Sequence, residues 1–271
     1  MVPDPEPELV EAIYDALERD DPAQAWNLAR QALVLSDGDP VLHYLAGHAL
    51  LEMDRPVEAV VELERATELE PGDDEFRLNL AWALFRACEF DAARRQIQRV
   101  KQTQPPLPEL HHVRGLCNER TGDLQDADRE FQRAAELDPE TFPVPSRFSN
   151  EEFQRQLDVA RAALHEDFRR HLDTVTILVE DLPAEALLTE ELPPLDPEHL
   201  LGLFSGVPLN LQDSFSPGGE LPPRIYLFKR NLERYTSGAE ELAEQIRITL
   251  YHELGHYLGL SEEELEQSGY A

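Results

Sequence analysis

The chain has 271 residues, enough for two domains with separate hydrophobic cores. Apolar residues make up 41% and charged residues 29%, a balance typical of a soluble globular protein rather than a disordered one. The formal net charge of −31 repels phosphate backbones and anionic lipid headgroups. This charge argues against nucleic-acid and membrane-surface partners and favours basic or neutral peptide segments.

The N-terminal residues and the cysteines bear on the cellular compartment. The first residues lack the positive region and apolar core of a signal peptide, and no apolar run is long enough for a membrane span. Cys88 and Cys117 lie within helical patterns, where buried thiols are expected rather than a disulfide. Together these features predict a cytoplasmic location.

Residues of similar type recur every 34 positions in the first half of the chain, with Ile13 as an exception. The series are Ala25, Ala59, Ala93 and Ala127; Ile13, Gly47, Ala81 and Gly115; and Pro71, Pro105 and Pro139. Small residues at fixed points let the two helices of a unit approach, and larger neighbours fill the seam between units. The period therefore predicts stacked helix pairs over residues 6–141.

These residues resemble the tetratricopeptide repeat (TPR) family, with four 34-residue units. The first unit departs from the pattern because Ile13 stands where a small residue is usual, as is common in a terminal unit. The resemblance implies a superhelix whose concave groove binds a protein or an extended peptide. His43, His48, His111 and His112 fall in first-helix positions and are interpreted as surface or groove residues rather than metal ligands.

Three prolines between Asp138 and Pro145 break the helical pattern and predict a short, stiff connection. We therefore place one domain at residues 1–141 and a second at 142–271. Asn150 is the expected N-cap of the next helix.

The second domain is expected to be α+β, with a small mixed sheet that leads into one long helix. Strands are predicted at residues 173–180, 200–204 and 224–229, and residues 184–197 are predicted to form a surface loop. The long helix is expected to begin near Ser237, as the cap of a box with Glu240, and to end at Gly259.

The long helix carries His252-Glu253-Leu254-Gly255-His256. Two histidines four residues apart lie on one helical face, so both imidazoles can reach a single metal ion. Glu253 projects near the same ion and can accept a proton from an activated water. This is the HExxH arrangement of zinc-dependent peptidases.

A third ligand must come from the segment after Gly259 or from upstream, because only 15 residues follow His256. The spacing H-E-x-x-H-x-x-G-x-x places Glu262 at the position of the third histidine of the metzincin pattern, and a carboxylate is an acceptable zinc ligand. The alternatives Glu263, Glu264 and Glu266 remain open. Tyr226, Tyr251 and Tyr257 are candidate donors to the oxyanion of a transition state.

The second domain also resembles a minimal zincin family of bacterial proteins. The resemblance is carried by residues 179–183, 202–208, 225–233 and 249–265. It implies a zinc-dependent peptidase with a peptide substrate at the zinc site, and Glu262 departs from the family's usual aspartate. An extended substrate is expected to add to strand 224–229 as an exposed edge.

The alternative to a peptidase function is a non-catalytic TPR scaffold with a structural or degenerate zinc domain.

Overall fold

The computed structural model describes residues 7–101, 105–190, 193–214, 222–261 and 263–265. The chain divides into two compact units. Unit 1 contains Met1–Pro143 and Glu185–Pro197, and unit 2 contains Val144–Ala184 and Glu198–Ala271. Within the described residues, every helix is too short or too polar to span a bilayer.

Unit 1 is a series of four helix pairs. The helices are α1 (Pro7–Glu18) with α2 (Pro22–Leu35), α3 (Pro40–Glu52) with α4 (Pro56–Leu69), α5 (Asp74–Arg86) with α6 (Phe90–Ile97), and α7 (Pro108–Arg120) with α8 (Leu124–Leu137). The first helices of successive pairs also contact each other, α1 with α3, α3 with α5 and α5 with α7. The 34-residue period therefore corresponds to a repeating helix pair, as predicted.

Each pair has one small and one larger residue at two equivalent positions, one on each helix. From the first pair to the fourth, these are Ile13 with Ala29, Gly47 with Leu63, Ala81 with Ile97, and Gly115 with Phe131. A Cβ added at Gly47 would lie 2.5 Å from Leu63, and one at Gly115 would lie 2.6 Å from Phe131. Both contacts would be overlaps, so Leu63 and Phe131 each require glycine at the facing position of the first helix. In the first pair the larger residue is on the other helix, which accounts for Ile13.

Unit 1 also includes α11 (Glu185–Leu188), within the segment expected to be a surface loop. That expectation is wrong in part, because Leu188 is fully buried and its carbonyl accepts a hydrogen bond from the Leu195 amide at 2.9 Å. Asp196 pairs with Arg86 of α5 at 3.0 Å. One buried leucine within an acidic, proline-rich stretch is a weak sequence signal.

Unit 2 combines helices with a three-stranded sheet. Its elements are α9 (Asn150–Ala163), α10 (Glu166–Arg169), β1 (Thr176–Glu180), β2 (Gly202–Ser205), a 3-10 helix (Leu209–Ser214), β3 (Arg224–Phe228), α12 (Lys229–Arg234) and α13 (Ala239–Leu258). The strand order is β1-β3-β2, with β1 parallel and β2 antiparallel to β3. The sheet is mixed, as predicted. Strand β3 is paired on both sides, so the expectation that 224–229 is an exposed edge is wrong.

Two predicted helix caps lie one residue from the observed ones. Ser149, rather than Asn150, caps α9 in a capping box with Glu152, and Asn150 instead accepts a hydrogen bond from Lys229 at 3.1 Å. Gly238 is the N-cap of α13, and the Ser237 hydroxyl donates to Glu241 at 2.5 Å rather than to Glu240. A serine and an acidic residue within one turn can cap the first backbone amides of a helix from more than one position, so the sequence fixes the cap only to within a residue.

Candidate metal centre

Helix α13 carries the HExxH residues and has two different faces. One face is formed by four fully buried side chains at helical spacing, Leu242, Ile246, Leu250 and Leu254. This face packs on α9, β2 and β3. His252 and His256 lie on a second, partly exposed face. Burial of the first face fixes the rotation of the helix, so both imidazoles stay on the accessible side.

The two imidazoles approach one another closely. Nε2 of His252 lies 3.0 Å from Nε2 of His256, and the rings stand at 84° with centroids 4.6 Å apart. Two nitrogens on one tetrahedral zinc ion, each about 2.0–2.1 Å from it, are about 3.4 Å from each other. The observed separation is near that value, and imidazole nitrogen is a preferred zinc donor. The pair therefore fits two positions of a zinc site.

Glu253 is almost fully buried, with 6% of its surface exposed. Its Oε2 accepts a hydrogen bond from the Phe204 amide of β2 at 2.6 Å. A Cβ added at Gly202 would lie 3.2 Å from Cγ of Glu253, so glycine at that position leaves room for the carboxylate chain. Strand β2 thus holds Glu253 in one orientation. Sequence reasoning missed this partner because a backbone amide leaves no mark in the residue pattern.

Gly259 ends α13 and reverses the chain. Its φ is 85°, in the left-handed region that favours glycine. The Gly259 amide donates to the His256 carbonyl and the Leu260 amide to the Gly255 carbonyl, each at 3.0 Å, as in a Schellman motif. A Cβ at position 259 would also overlap the Asn210 side chain of the 3-10 helix. Asn210 is exposed and its side chain can move, so it is the backbone conformation that requires glycine here.

The chain beyond Gly259 packs back on α13. Leu265 is fully buried, and a Cβ added at Gly255 would overlap its side chain. Because Gly255 lies between the two histidines in sequence, this contact returns the C-terminal segment to the HExxH turn. The predicted chain reversal is therefore present.

The third ligand predicted from the sequence, Glu262, lies outside the described residues, as does the alternative Glu266. Glu263 is exposed. Glu264 accepts hydrogen bonds from the amide and the hydroxyl of Ser261, at 2.9 and 3.0 Å, and these lower the pKa of its carboxyl. Among the residues that the structure describes, His, Cys, Asp and Glu form no group of three able to hold a metal. Assignment of the third ligand to Glu262 remains a prediction.

The three tyrosines considered as oxyanion donors contribute to packing. The Tyr251 hydroxyl accepts a hydrogen bond from the His165 amide at 2.5 Å, and its ring meets Phe168 edge-on. The Tyr257 hydroxyl lies 3.2 Å from Oγ1 of Thr174. Tyr226 stacks on Phe228, with ring centroids 6.3 Å apart. The hydroxyls of Tyr251 and Tyr257 are thus occupied within the fold.

Comparisons with known proteins find two kinds of domain. A model described as zincin-like metallopeptidase matches residues 172–270, which include all three strands and α13. Two tetratricopeptide repeat models match residues 50–117 and 108–141. No curated protein matches the chain.

Several solved structures are similar to part of the chain. The crystal structure of YrrB, described as a TPR protein with an unusual peptide-binding site, is 21% identical, with a TM-score of 0.43 over 49% of this chain and 68% of that chain. MamA 41-end from Desulfovibrio magneticus RS-1 is 18% identical, with a TM-score of 0.45 over 63% and 90%. The family models, together with the helix pairs and the HExxH helix, show that the chain combines tetratricopeptide repeats with a zincin-like metallopeptidase domain.

Proposed function

We propose that the protein is a zinc-dependent metallopeptidase whose repeat domain, residues 1–141, binds a protein or peptide and whose domain at 142–271 cleaves peptide bonds. His252, His256 and Glu262 would hold the zinc ion, and Glu253 is the general base. The proposal depends chiefly on the 3.0 Å approach of the two imidazole nitrogens, with Glu253 fixed on the same helix.

Zinc in such a donor set supplies Lewis-acid activation of a water molecule and of the substrate carbonyl. Glu253 accepts the proton that this water loses and then donates it to the amine that leaves when the peptide bond breaks. The Phe204 amide keeps the carboxylate from rotating away, so its position is set before substrate arrives. Partial exposure of His252 and His256 supports access of a substrate to this face of the helix.

Strand β2 replaces β3 as the proposed place for an extended substrate. The Phe228 amide donates to the Leu201 carbonyl. In this antiparallel register the backbone N–H and C=O groups of residues 201, 203 and 205 therefore point towards β3, and those of residues 202 and 204 point away from it. Phe204, whose amide reaches Glu253, belongs to the outward-facing set. A peptide added along this outer edge would therefore run beside the proposed base.

The substitution Glu253→Gln tests the catalytic role directly. Glutamine still offers an oxygen to the Phe204 amide but cannot accept the proton, so the fold and zinc content should persist while hydrolysis falls by about a hundredfold or more. Zinc is measured per chain by mass spectrometry, and cleavage by release of peptides from casein with and without a chelator.

Glu240→Gln is the matched control, because Glu240 is exposed in the first turn of the same helix. This variant should keep both zinc and turnover. A Glu253→Gln variant that binds zinc and cleaves casein at the wild-type rate would exclude Glu253 as the base.

A second function is favoured by the burial of Glu253. A carboxylate with 6% exposure that binds the Phe204 amide also fastens β2 to α13, and this role needs no turnover. In that case the zinc domain is structural and the protein acts as a repeat-based scaffold. Stoichiometric, slowly exchanging zinc with no cleavage of casein or of a peptide library by the wild-type protein would establish this alternative.

A further inference from the structure

The first helices of three repeat units bring two tyrosines and one carboxylate together in unit 1. Tyr14 lies on α1, Tyr44 on α3 and Glu75 at the start of α5. The Tyr44 hydroxyl donates to Oε1 of Glu75 at 2.8 Å, across the contact between α3 and α5. This hydrogen bond fixes one oxygen of the carboxylate beside the aromatic ring.

The second carboxylate oxygen of Glu75 accepts no hydrogen bond from any described residue, and no described Lys, Arg or His pairs with Glu75. Helices α1 and α3 contain no Lys or Arg, but they carry acidic residues at Glu8, Glu11, Asp15, Glu18 and Glu52. The arginine nearest in sequence, Arg77 of α5, pairs with Asp74 at 2.9 Å. The charges that α1 and α3 bring to Glu75 are therefore negative.

Both tyrosines experience this negative charge. Burial and the charge of Glu75 raise the pKa of Tyr14, although 45% of that side chain is exposed. Burial, the hydrogen bond to Glu75 and its charge raise the pKa of Tyr44. Both phenols thus stay neutral at physiological pH. The Tyr44 ring is stacked on Phe76, with centroids 4.9 Å apart, so the exposed Tyr14 ring is the one whose face can attract a cation.

Aromatic rings continue along the same helices. Tyr14, His48 and Trp82 are 34 residues apart and occupy equivalent positions of three units. The His48 ring stacks on Tyr44 with centroids 6.1 Å apart, and its buried Nδ1 has no hydrogen-bond partner among the residues described. The equivalent first-helix position therefore carries a ring in each of the three units, and the ring of Trp82 has the Arg86 guanidinium 5.7 Å from its centroid.

We propose that Tyr14, Tyr44 and Glu75 form a subsite for a cationic side chain, lysine or arginine, of a peptide segment that lies along α1, α3 and α5. The carboxylate supplies the charge partner, Tyr44 positions that carboxylate through its hydroxyl, and the exposed Tyr14 ring supplies the cation–π contact. The subsite deepens the proposed binding role of the repeats and depends on it. An anionic ligand is disfavoured because the nearest charges have the same sign.

The probe for this subsite is a fluorescein-labelled glycine–lysine repeat peptide of about twelve residues, which spans about 40 Å when extended. Its counterpart is the same peptide with every lysine acetylated, which keeps the chain but removes the charge. Binding is measured by fluorescence anisotropy in the Glu253→Gln background, so that cleavage cannot remove the probe.

Glu75→Gln should weaken binding of the lysine peptide by about fivefold or more, and Tyr14→Ala by about threefold. Glu109→Gln is the matched control, because Glu109 occupies the equivalent position one unit later, where Leu78 replaces the tyrosine. This variant loses the same charge and should change the affinity by less than about twofold.

A direct readout comes from the ring resonances of the seven tyrosines in protein labelled with ¹³C-tyrosine. The lysine peptide should shift the signals of Tyr14 and Tyr44, assigned with Tyr14→Phe and Tyr44→Phe, and the acetylated peptide should not. Circular dichroism confirms that each variant is folded.

Each other outcome overturns the subsite in a distinguishable way. Equal weakening by Glu75→Gln and Glu109→Gln would assign binding to the general acidity of the surface. Equal affinity for both peptides would exclude a cation subsite but leave peptide binding by the repeats intact. Failure of both peptides to bind would count against the subsite and against the proposed binding role together.

Discussion

One residue between the two helices of each repeat unit adopts the left-handed conformation. These residues are Asp20, Asp54, Cys88 and Gly122, with φ of 57°, 56°, 64° and 79°. In each unit the next amide donates back to the first helix, as Asp123 does to the Asn118 carbonyl at 3.0 Å. This conformation costs a non-glycine residue roughly 1–2 kcal/mol of conformational free energy, so the turn at Gly122 is the least strained of the four.

Gly122→Ala isolates this backbone effect, because an added Cβ at that position meets nothing within 4 Å. We expect the free energy of unfolding to fall by about 1 kcal/mol. Gly72→Ala is the control: the space there is also open, and the residue has no positive φ. This variant should be neutral or stabilised by about 0.4–1 kcal/mol. Urea unfolding followed by tryptophan fluorescence measures both, and equal effects would contradict the role given to φ.

His43 provides a pH-dependent contribution to stability. Burial lowers its pKa, but hydrogen bonds to Glu62 at 2.7 Å and to the Asp37 carbonyl at 2.8 Å, with the charge of Glu62, outweigh burial and raise it. The folded state therefore binds the proton more tightly than the unfolded chain. The contribution is fully present below the unfolded pKa of about 6.5 and is lost as the pH rises through the folded value.

Glu62→Gln should therefore destabilise the protein more at about pH 5.5 than at about pH 8. Glu64→Gln is the control, because Glu64 lies on the same helix and is exposed. Urea midpoints at the two pH values give the comparison. Parallel pH profiles for the two variants would show that Glu62 does not act through His43.

At the scale of elements, the helix pairs are matched by residue volume. The fourth pair combines Gly115 with Phe131, and the third combines Ala81 with Ile97. All four are buried. A first-helix methyl group and a second-helix phenyl ring would compete for the same space, since a Cβ at Gly115 would lie 2.6–2.9 Å from three atoms of the Phe131 ring.

Gly115→Ala should therefore lower the free energy of unfolding by about 1–3 kcal/mol through overpacking. Phe131→Ile in that background recreates the alanine–isoleucine pairing of the third unit and should recover part of the loss. The two single variants and the double variant form a cycle measured by urea unfolding. Strictly additive effects would mean that the two residues do not share this space.

The sequence pattern predicted the individual helices and strands more accurately than the order of the strands in the sheet. The 34-residue period and the spacing of the histidines are local, so the helix pairs and the approach of His252 to His256 follow from the sequence. The place of β3 between β1 and β2 is set by long-range pairing, which no local pattern encodes. The Phe204 amide that holds Glu253 is missed for the same reason, because every non-proline residue carries an amide.

At the scale of the whole molecule, the tryptophans and the cysteines all lie in unit 1, whereas the proposed zinc ligands lie in unit 2. Trp26 and Trp82 are the two tryptophans. Burial raises the pKa of the Cys88 thiol to about 11 and that of Cys117 to about 12. Both thiols are therefore protonated at pH 8 and should react with a disulfide reagent only when unit 1 opens.

Removal of zinc should therefore affect the two units differently. Binding to the native state stabilises by about 4 kcal/mol at a zinc concentration a thousandfold above Kd, and this gain belongs to the unit that holds the ion. We expect a chelator to lower a calorimetric transition while the tryptophan midpoint and the rate of thiol reaction stay unchanged. Glu262→Gln should abolish the zinc-dependent shift, and Glu263→Gln, one residue away, should retain it. Exposure of the thiols by the chelator would instead show that zinc stabilises the repeats, and an unaltered shift in Glu262→Gln would assign the third ligand elsewhere.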